Sequence, residues 1–184
     1  MPNPVPNYID PILYPIEGNR MIELGRKKTK IDGEWITYKN FFEKWGMDHV
    51  SIDIQGGYGS LALDLTKPIE IDPADIVTNF GTTEHVRDQA ACWRNVNSMV
   101  KVGGVLASMT PLPGDWWWHG DYYPTPEFYV QFALMNGYVV EYLAISREEP
   151  FRNIQVRMRK VEEKNFVFPN NDVIYVNQKR LRGW

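Results

Sequence analysis

Cysteine, long apolar runs and an excess of basic charge are all scarce in this chain of 184 residues. Cys92 is the only cysteine, which excludes an internal disulfide and a thiolate-rich metal cluster. The strongly apolar runs stay far below the ~18 residues of a membrane span. Lys and Arg number 20 against 23 Asp and Glu, and the net charge of −3 argues against a general electrostatic binder of nucleic acid.

The first residues also lack the cationic region and following apolar stretch that mark a secretory signal. With 43% apolar and 23% charged residues, the composition is that of an ordinary soluble globular protein. We therefore expect a cytoplasmic protein with one principal domain and no contact with membranes. The sequence leaves its oligomeric state open, a homo-oligomer included.

The composition divides the chain into three parts. Residues 1–19 contain five of the 13 prolines and predict an extended arm that packs across the domain. The arm residues available for burial are Tyr8, Ile9, Ile12, Leu13 and Tyr14. Residues 20–163 alternate between strand-like and helix-like patterns, which predicts an α/β domain with a mostly parallel sheet. Residues 164–184 are expected to form a carboxy-terminal tail.

Apolar runs and helical periodicity locate the elements of the middle part. The predicted strands are Met21–Gly25, His49–Ile54, Leu61–Leu65, Asp75–Phe80, Val105–Met109, Tyr138–Ser146 and Asn153–Val161. The predicted helices are Ile36–Trp45, Val86–Val100 and Pro126–Asn136. Because only residues 55–60 separate the second and third strands, the usual crossover helix is expected to be missing there. The short link between the last two strands, 147–150, predicts an antiparallel hairpin.

Polar residues fall at the carboxyl ends of several predicted strands, where open α/β sheets bind ligands. They are Glu23 and Gly25, Asp53, Asp64, Asn79 and the turn from Gly81 to His85. Asp53 carries the sharpest signal, because a carboxylate at the end of the second strand can accept hydrogen bonds from both hydroxyls of a ribose. This edge of the sheet therefore predicts a nucleoside site.

Five short motifs, in this order and spacing, resemble those of the class I S-adenosylmethionine-dependent methyltransferases over about two-thirds of the chain. The motifs are Met21–Gly25, Val50–Ile54, Leu63–Thr66, Ala74–Val86 and Val100–Val105. The chain is most similar to a branch in which the fourth strand ends in a glycine followed by Glu-His, here Gly81 and Glu84-His85. In that branch the helix between the second and third strands is often absent.

The resemblance implies a Rossmann-like methyltransferase fold, S-adenosylmethionine as cofactor, and methyl transfer to a small-molecule or glycan acceptor. The cofactor contacts that it implies are Glu23, Gly25, Asp53, Ile54, Asp64, Leu65, Asn79 and Gly81. The candidate general bases are His85 and His119, since an imidazole titrates near neutral pH. The loop after the fifth strand faces the transferred methyl group in this fold, and its expected acceptor contacts are Trp117, Trp118 and Tyr122.

One departure from the family pattern leaves an alternative open. Family members usually continue the first motif with two further glycines, whereas here Gly25 is followed by Arg26-Lys27-Lys28. The alternative is a catalytically inactive, methyltransferase-like binding or scaffold protein that has lost cofactor binding. It predicts that the side chains of 26–28 close the loop and leave a cavity too small for a nucleoside.

Two other kinds of site find little support in the sequence. The histidines His49, His85 and His119 are dispersed and show no paired ligand spacing, so no metal site is expected. A nicotinamide-dependent dehydrogenase would need Gly-x-Gly-x-x-Gly after the first strand, and that pattern is absent.

Overall fold

A computed structural model describes residues 10–31, 33–146 and 151–177 of the chain. The strands are β1 (Arg20–Leu24), β2 (Lys28–Ile31), β3 (Glu34–Thr37), β4 (Asp48–Asp53), β5 (Leu61–Ala62), β6 (Ala74–Phe80), β7 (Val100–Pro111), β8 (Tyr122–Pro124), β9 (Tyr138–Ile145), β10 (Asn153–Lys160) and β11 (Ile174–Val176). The α-helices are α1 (Asp10–Leu13), α2 (Tyr38–Glu43), α3 (Gln89–Met99) and α4 (Pro126–Asn136). Short 3₁₀ turns cover Thr83–His85 and Asn171–Val173.

Parts of the sequence predictions lie outside the described residues: the first half of the arm (1–9), the link 147–150 and the end of the tail (178–184). None of the described helices combines the length and the apolar character that a membrane crossing requires.

Seven strands form the central sheet in the order β5-β4-β1-β6-β7-β10-β9. The first five of these pair in parallel, while β10 runs antiparallel to both β7 and β9. The predicted α/β fold, with a mostly parallel sheet and an antiparallel carboxy-terminal hairpin, is thereby confirmed. β4 and β5 lie on one side of β1, and the chain then crosses over to place β6 on the other side. The strand order reverses there, so the crevice for a ligand lies between the carboxyl ends of β1 and β6.

The connection between β4 and β5 contains no helix, as the sequence predicts. Ile52 and Asp53 pair in parallel with Leu61 and Ala62, and a short turn joins the two strands. β5 contains only two residues, so the third predicted strand is a stub.

Apolar layers cover both faces of the sheet. On one face α3 and α4 bury Trp93, Val96 and Phe128 in the larger core cluster. On the other face the arm and α2 bury a second cluster that includes Ile12 and Leu13, which are fully buried. The predicted packing of the arm across the domain is confirmed for these residues.

Helix α4 has the predicted boundaries because local capping determines both of its ends. The Thr125 side chain accepts a hydrogen bond from the N–H of Phe128, and Pro126 occupies the first turn. Gly137 ends the helix in the left-handed conformation, with φ of 75°.

Caps also move two other helix starts away from their predicted positions. Thr37 caps α2, which therefore begins at Tyr38 and not at Ile36, and the residues before it form the hairpin β2–β3. Asp88 caps α3, which begins three residues later than Val86.

The segment after β10, expected to be a tail, belongs to the domain as far as it is described. Phe166 and Phe168 pack against the larger core cluster, where Val173 and Ile174 are buried. β11 then pairs antiparallel with β8. Burial of these apolar side chains accounts for the difference from the prediction.

Candidate functional site

A cavity of about 490 Å³ opens at the carboxyl ends of β1, β4 and β6, at the crevice between β1 and β6. Its volume falls within the range of about 300–1,000 Å³ typical of small-molecule sites. The predicted site residues on its wall are Gly25, Asp53, Ile54, Asp64, Leu65, Gly81, His85 and His119. The fold thus brings together eight residues that are spread over 95 positions of the sequence, from 25 to 119.

Asp53 ends β4 and faces the cavity with its carboxylate. Its Oδ2 accepts a hydrogen bond from the N–H of Arg26 at 3.1 Å, and its Oδ1 accepts one from the N–H of Gln55 at 2.9 Å. Burial raises the pKa of Asp53, but these hydrogen bonds and the nearby cations outweigh it and hold the pKa below its usual value. Each carboxylate oxygen keeps a lone pair for a hydroxyl donor.

Asp64 follows β5 and adds a second carboxylate to the wall. The N–H and the hydroxyl of Thr66 both donate to its Oδ1 at 2.8 Å, and these bonds lower the pKa of Asp64. Because both bonds fall on one oxygen, Oδ2 stays available to an amine donor. Ile54 is 72% exposed beside it and, with the buried Leu65, offers an apolar surface to a flat ring.

Glu23, the predicted acid of the first motif, lies at the end of β1 but not on the cavity wall. Burial raises its pKa to about 8, against the lowering effect of hydrogen bonds from Ser51 and the N–H of Lys27. His49 Nε2 lies 3.9 Å from Glu23 Oε2, and burial lowers the pKa of His49 to about 4. Burial thus favours the uncharged form of both side chains, and a cofactor contact for Glu23 stays a prediction.

The cationic residues after β1 leave the cavity open. Arg26 Nη1 donates to the carbonyl oxygen of Gly56 at 2.8 Å, and its guanidinium carbon lies 4.8 Å from the ring centre of Tyr58. Lys28 Nζ lies 4.5 Å from the centre of the same ring. The small cavity predicted for an inactive protein is therefore not observed, because two of the three cations turn toward the segment between β4 and β5.

Gly25 and Lys27 tie the end of β1 to the turn after β6. Gly25 has φ of 73°, and a Cβ there would lie 2.4 Å from Thr82 Oγ1, so the position requires glycine. The Thr82 hydroxyl donates to the carbonyl oxygen of Leu24 at 2.7 Å. Lys27 Nζ donates to the carbonyl oxygen of Gly81 at 2.7 Å and places a cation on the cavity wall.

Asn79, another predicted cofactor contact, is fully buried at the end of β6 and organises the following turn. Its Oδ1 accepts from the N–H groups of Thr82 and Thr83 at 3.3 and 3.2 Å. Its Nδ2 donates to Thr83 Oγ1 at 2.9 Å and to Ser108 Oγ at 3.0 Å. The side chain supports the wall from behind and does not line the cavity.

Glu84, His85 and His119 form a group at the rim of the cavity. Glu84 Oε1 lies 3.4 Å from His119 Nε2 and 3.8 Å from His85 Nε2, and the two imidazole rings are 4.7 Å apart. Glu84 is fully buried, whereas the side chains of His85 and His119 are 41% and 38% exposed. The histidines are dispersed along the chain, but the loop after β7 folds back onto the turn after β6 and brings these two together.

The tryptophans of the loop between β7 and β8 lie at the surface and do not line the cavity. Trp117 and Trp118 are 55% and 47% exposed, and Trp118 packs edge-on against Phe151. Tyr122 lines a neighbouring cavity of about 680 Å³. Acceptor contacts by these three residues stay predictions.

Among the site residues, the sequence names Glu84 only within the turn from Gly81 to His85 and Thr66 only within the motif Leu63–Thr66, and it does not point to Arg87. Thr66 and Arg87 line both cavities, and no local pattern marks Arg87. Glu84 has the pattern of an acid at a helix start. Its position next to His85 is the signal in the sequence that points to it, whereas its burial is visible only in the structure.

Comparison with known proteins adds the fold family. No protein-family model and no curated protein matches the chain. Among solved structures, a Mesorhizobium loti S-adenosylmethionine-dependent methyltransferase has a TM-score of 0.57 at 15% identity, covering 77% of this chain and 91% of that chain.

Two further structures in this group were solved with S-adenosylhomocysteine. The N-methyltransferase NodS from Bradyrhizobium japonicum has a TM-score of 0.56 at 14% identity, covering 78% of this chain and 79% of its own. The 1,6-didemethyltoxoflavin-N1-methyltransferase from Burkholderia thailandensis has a TM-score of 0.56 at 8% identity, covering 78% and 71%. At these identities the likeness shows the fold alone: the chain has the Rossmann-like α/β fold of the class I methyltransferases.

Proposed function

We propose that this protein transfers a methyl group from S-adenosylmethionine to a small-molecule acceptor. The observation that carries the proposal is that one cavity combines two carboxylates suited to a nucleoside with a carboxylate–imidazole group. The carboxylates are Asp53 and Asp64, and the group at the rim is Glu84, His85 and His119.

The nucleoside end of the cavity fits the cofactor in its donors and acceptors. Asp53 is held ionised by N–H groups of Arg26 and Gln55, and its remaining lone pairs suit the two ribose hydroxyls. Asp64 Oδ2 suits the adenine amine, and the exposed face of Ile54 suits the adenine ring.

The other end of the cavity contains a cation for the methionine part of S-adenosylmethionine. Lys27 Nζ, held at the Gly81 carbonyl, is a counter-charge for the methionine carboxylate. The missing glycines of the first motif do not exclude this arrangement. Gly25 still allows the close contact with Thr82, and the Arg26 side chain bonds to the carbonyl oxygen of Gly56.

When bound, S-adenosylmethionine supplies a sulfonium methyl: the acceptor's lone pair forms the bond to carbon while the C–S electron pair stays on sulfur in S-adenosylhomocysteine. His85 and His119 stand at the solvent-exposed rim, where an acceptor enters, and either imidazole can take its proton. The protein contributes mainly position and orientation. Glu84 stabilises the resulting imidazolium, with its Oε1 3.4 Å from His119 Nε2.

Thermal unfolding with S-adenosylhomocysteine tests the cofactor site. A ligand at 100 times its dissociation constant stabilises by ~2.7 kcal/mol, which corresponds to a rise in Tm of roughly 5–10 °C for a chain of this size. We expect Asp53→Asn to weaken binding by about 10–100-fold, since it removes a charged hydrogen-bond acceptor.

Asp48→Asn is the matched control. Asp48 begins the same strand β4 at its opposite end and pairs with Arg20 at the surface, so its loss should leave ligand affinity unchanged. Absence of any shift at millimolar ligand would contradict the proposal and favour the inactive alternative. Equal affinities of both variants would contradict the role of Asp53.

A further inference from the structure

We propose that Glu84, His85 and His119 form a binding site for one divalent transition-metal ion, with Zn²⁺ as the best-fitting ion. Two imidazole nitrogens and one carboxylate oxygen form a ligand set that suits Zn²⁺ or Fe²⁺, whereas Mg²⁺ and Ca²⁺ prefer oxygen ligands. Metal binding at this place does not depend on the proposed methyl transfer.

The distances between the donor atoms fit such an ion. The carboxylate oxygen lies 3.4 and 3.8 Å from the two Nε2 atoms, and one donor atom from each residue falls within 4.8 Å of the other two. Donors bound at about 2.0–2.2 Å around a tetrahedral ion lie about 3.4 Å apart. Small rotations of the partly exposed imidazoles are therefore enough to bring all three donors to one ion.

The carboxylate of Glu84 is the second, independent observation. It is fully buried, and neither oxygen accepts a hydrogen bond from any residue that the structure describes. Leaving a buried carboxylate without a hydrogen bond is costly, and a bound cation removes that cost. Both imidazoles lie against Oε1, so the carboxylate points into the cluster.

The loop that carries His119 is held tightly against Glu84. The N–H of Asp121 donates to the Glu84 carbonyl oxygen at 2.9 Å, and a Cβ on Gly120 would lie 2.7 Å from Glu84 Cγ. Asn177 Nδ2 donates to the carbonyl oxygens of Trp117 and Gly120, at 2.6 and 3.1 Å. Outer contacts of this kind position metal ligands before the ion arrives.

An ion held by these three residues would keep a coordination position open toward the cavity, because His85 and His119 line the cavity wall. Three protein ligands and one open position are the arrangement of catalytic zinc sites. If the proposed function also holds, the ion would activate an acceptor oxygen bound there and the histidines would be its ligands, whereas in the metal-free protein the histidines would act as the bases.

A titration with Co²⁺ tests the site without any reference to activity. The purified chain is treated with a chelator, exchanged into metal-free buffer and titrated with Co²⁺, whose visible absorption reports nitrogen and oxygen ligation. We expect a band that saturates at one Co²⁺ per chain and that Zn²⁺ displaces. Zn²⁺ at 100 times its dissociation constant should also raise the Tm by roughly 5–10 °C.

Two variants and one control separate this site from its surroundings. His119→Ala and Glu84→Gln should each weaken Co²⁺ binding by about 100-fold or more, since loss of outer contacts alone costs 10–100-fold. His119 is partly exposed, so the metal-free melting of His119→Ala should match that of the parent and keep the test valid if Glu84→Gln does not fold.

The control is Asp53→Asn, which lines the same cavity but lies outside the cluster. We expect it to bind Co²⁺ like the parent while its affinity for S-adenosylhomocysteine falls. Saturable Co²⁺ binding without any binding of S-adenosylhomocysteine would support the metal site and contradict the proposed function. No band in the parent, or parent-like affinity in His119→Ala, would overturn the metal site.

Discussion

The turns after β1 and after β6 meet at the same edge of the sheet but differ in how their polar groups are satisfied. After β1, the chain's own groups hold one another. The N–H of Lys27 bonds to Glu23, the N–H of Arg26 bonds to Asp53, and the two cationic side chains each reach a backbone carbonyl.

After β6, the backbone is held equally well but one side chain is not. Asn79 accepts from two N–H groups of the turn, and Gln89 Nε2 donates to the carbonyl oxygen of Thr83 at 2.7 Å. Glu84 nevertheless keeps a buried carboxylate without a hydrogen bond from the described residues, beside two imidazoles.

This difference between the two turns suggests a separate role for each in the proposed function. A turn whose groups are internally satisfied acts as a rigid wall for a ligand. A rigid turn that holds a buried carboxylate without a hydrogen bond is suited to a cation or a transferred proton. The departure from the family pattern after β1 therefore concerns the wall, while the proposed chemistry belongs to the turn after β6.

Gly25→Ala is the variant with the largest expected effect, and it tests the contact between the two turns. The new Cβ would lie 2.4 Å from Thr82 Oγ1 at a positive φ, so we expect the free energy of unfolding to fall by about 2–4 kcal/mol. Gly46→Ala is the matched control, with φ of 81° and nothing within 4 Å of the added atom. It should cost about 1 kcal/mol. Equal losses in urea unfolding would show that the Thr82 contact is not tight.

Asn79→Ala tests the rigidity of the turn after β6. The variant removes two acceptor and two donor bonds from a fully buried side chain, so we expect a loss of about 2–3 kcal/mol in urea unfolding. Asn40→Ala, at an exposed position of α2, should stay within about 0.5 kcal/mol of the parent. A loss no larger than that of Asn40→Ala would show that the hydrogen bonds of Asn79 do not hold the turn after β6.

Glu23→Gln has the smallest expected effect, and it tests whether the buried Glu23 carboxyl next to the turn after β1 is uncharged. Because burial raises the pKa of Glu23 from 4.5 to about 8, the folded state holds a proton that the unfolded state has released. The resulting stability is fully present below pH ~4.5 and is lost as pH rises through about 8.

The pH window of 6.5–8 isolates this effect. His49, with its pKa lowered from 6.5 to about 4, contributes the opposite trend only below pH 6.5. We expect the free energy of unfolding of the parent to fall by about 1–2 kcal/mol between pH 6.5 and 8, as measured by urea unfolding at each pH. In Glu23→Gln this fall should be absent, because the variant has no carboxyl group at this position to titrate. Parallel pH profiles of the two proteins would show that the Glu23 carboxyl is ionised in the folded state at neutral pH.

Local sequence determines much of the fold because its signals act within a few residues. The Thr125, Pro126 and Gly137 caps determine α4, and the seven residues between β4 and β5 leave no room for a crossover helix. Asp53 is likewise predictable, because it ends a strand of a parallel sheet and the carboxyl ends of such strands meet at one edge, where the cavity lies.

Tertiary structure alone decides which distant segments meet. The docking of the loop after β7 onto the turn after β6 joins His119 to Glu84 and His85, and Asn177, directly after β11, holds that loop. No local pattern encodes these contacts, because they depend on burial of apolar side chains such as Phe166 and Phe168 far along the chain. The sequence by itself therefore determined most strands and helices of the central sheet and the carboxylates of the predicted nucleoside edge, while packing decided the burial of Glu84 and the cluster around it.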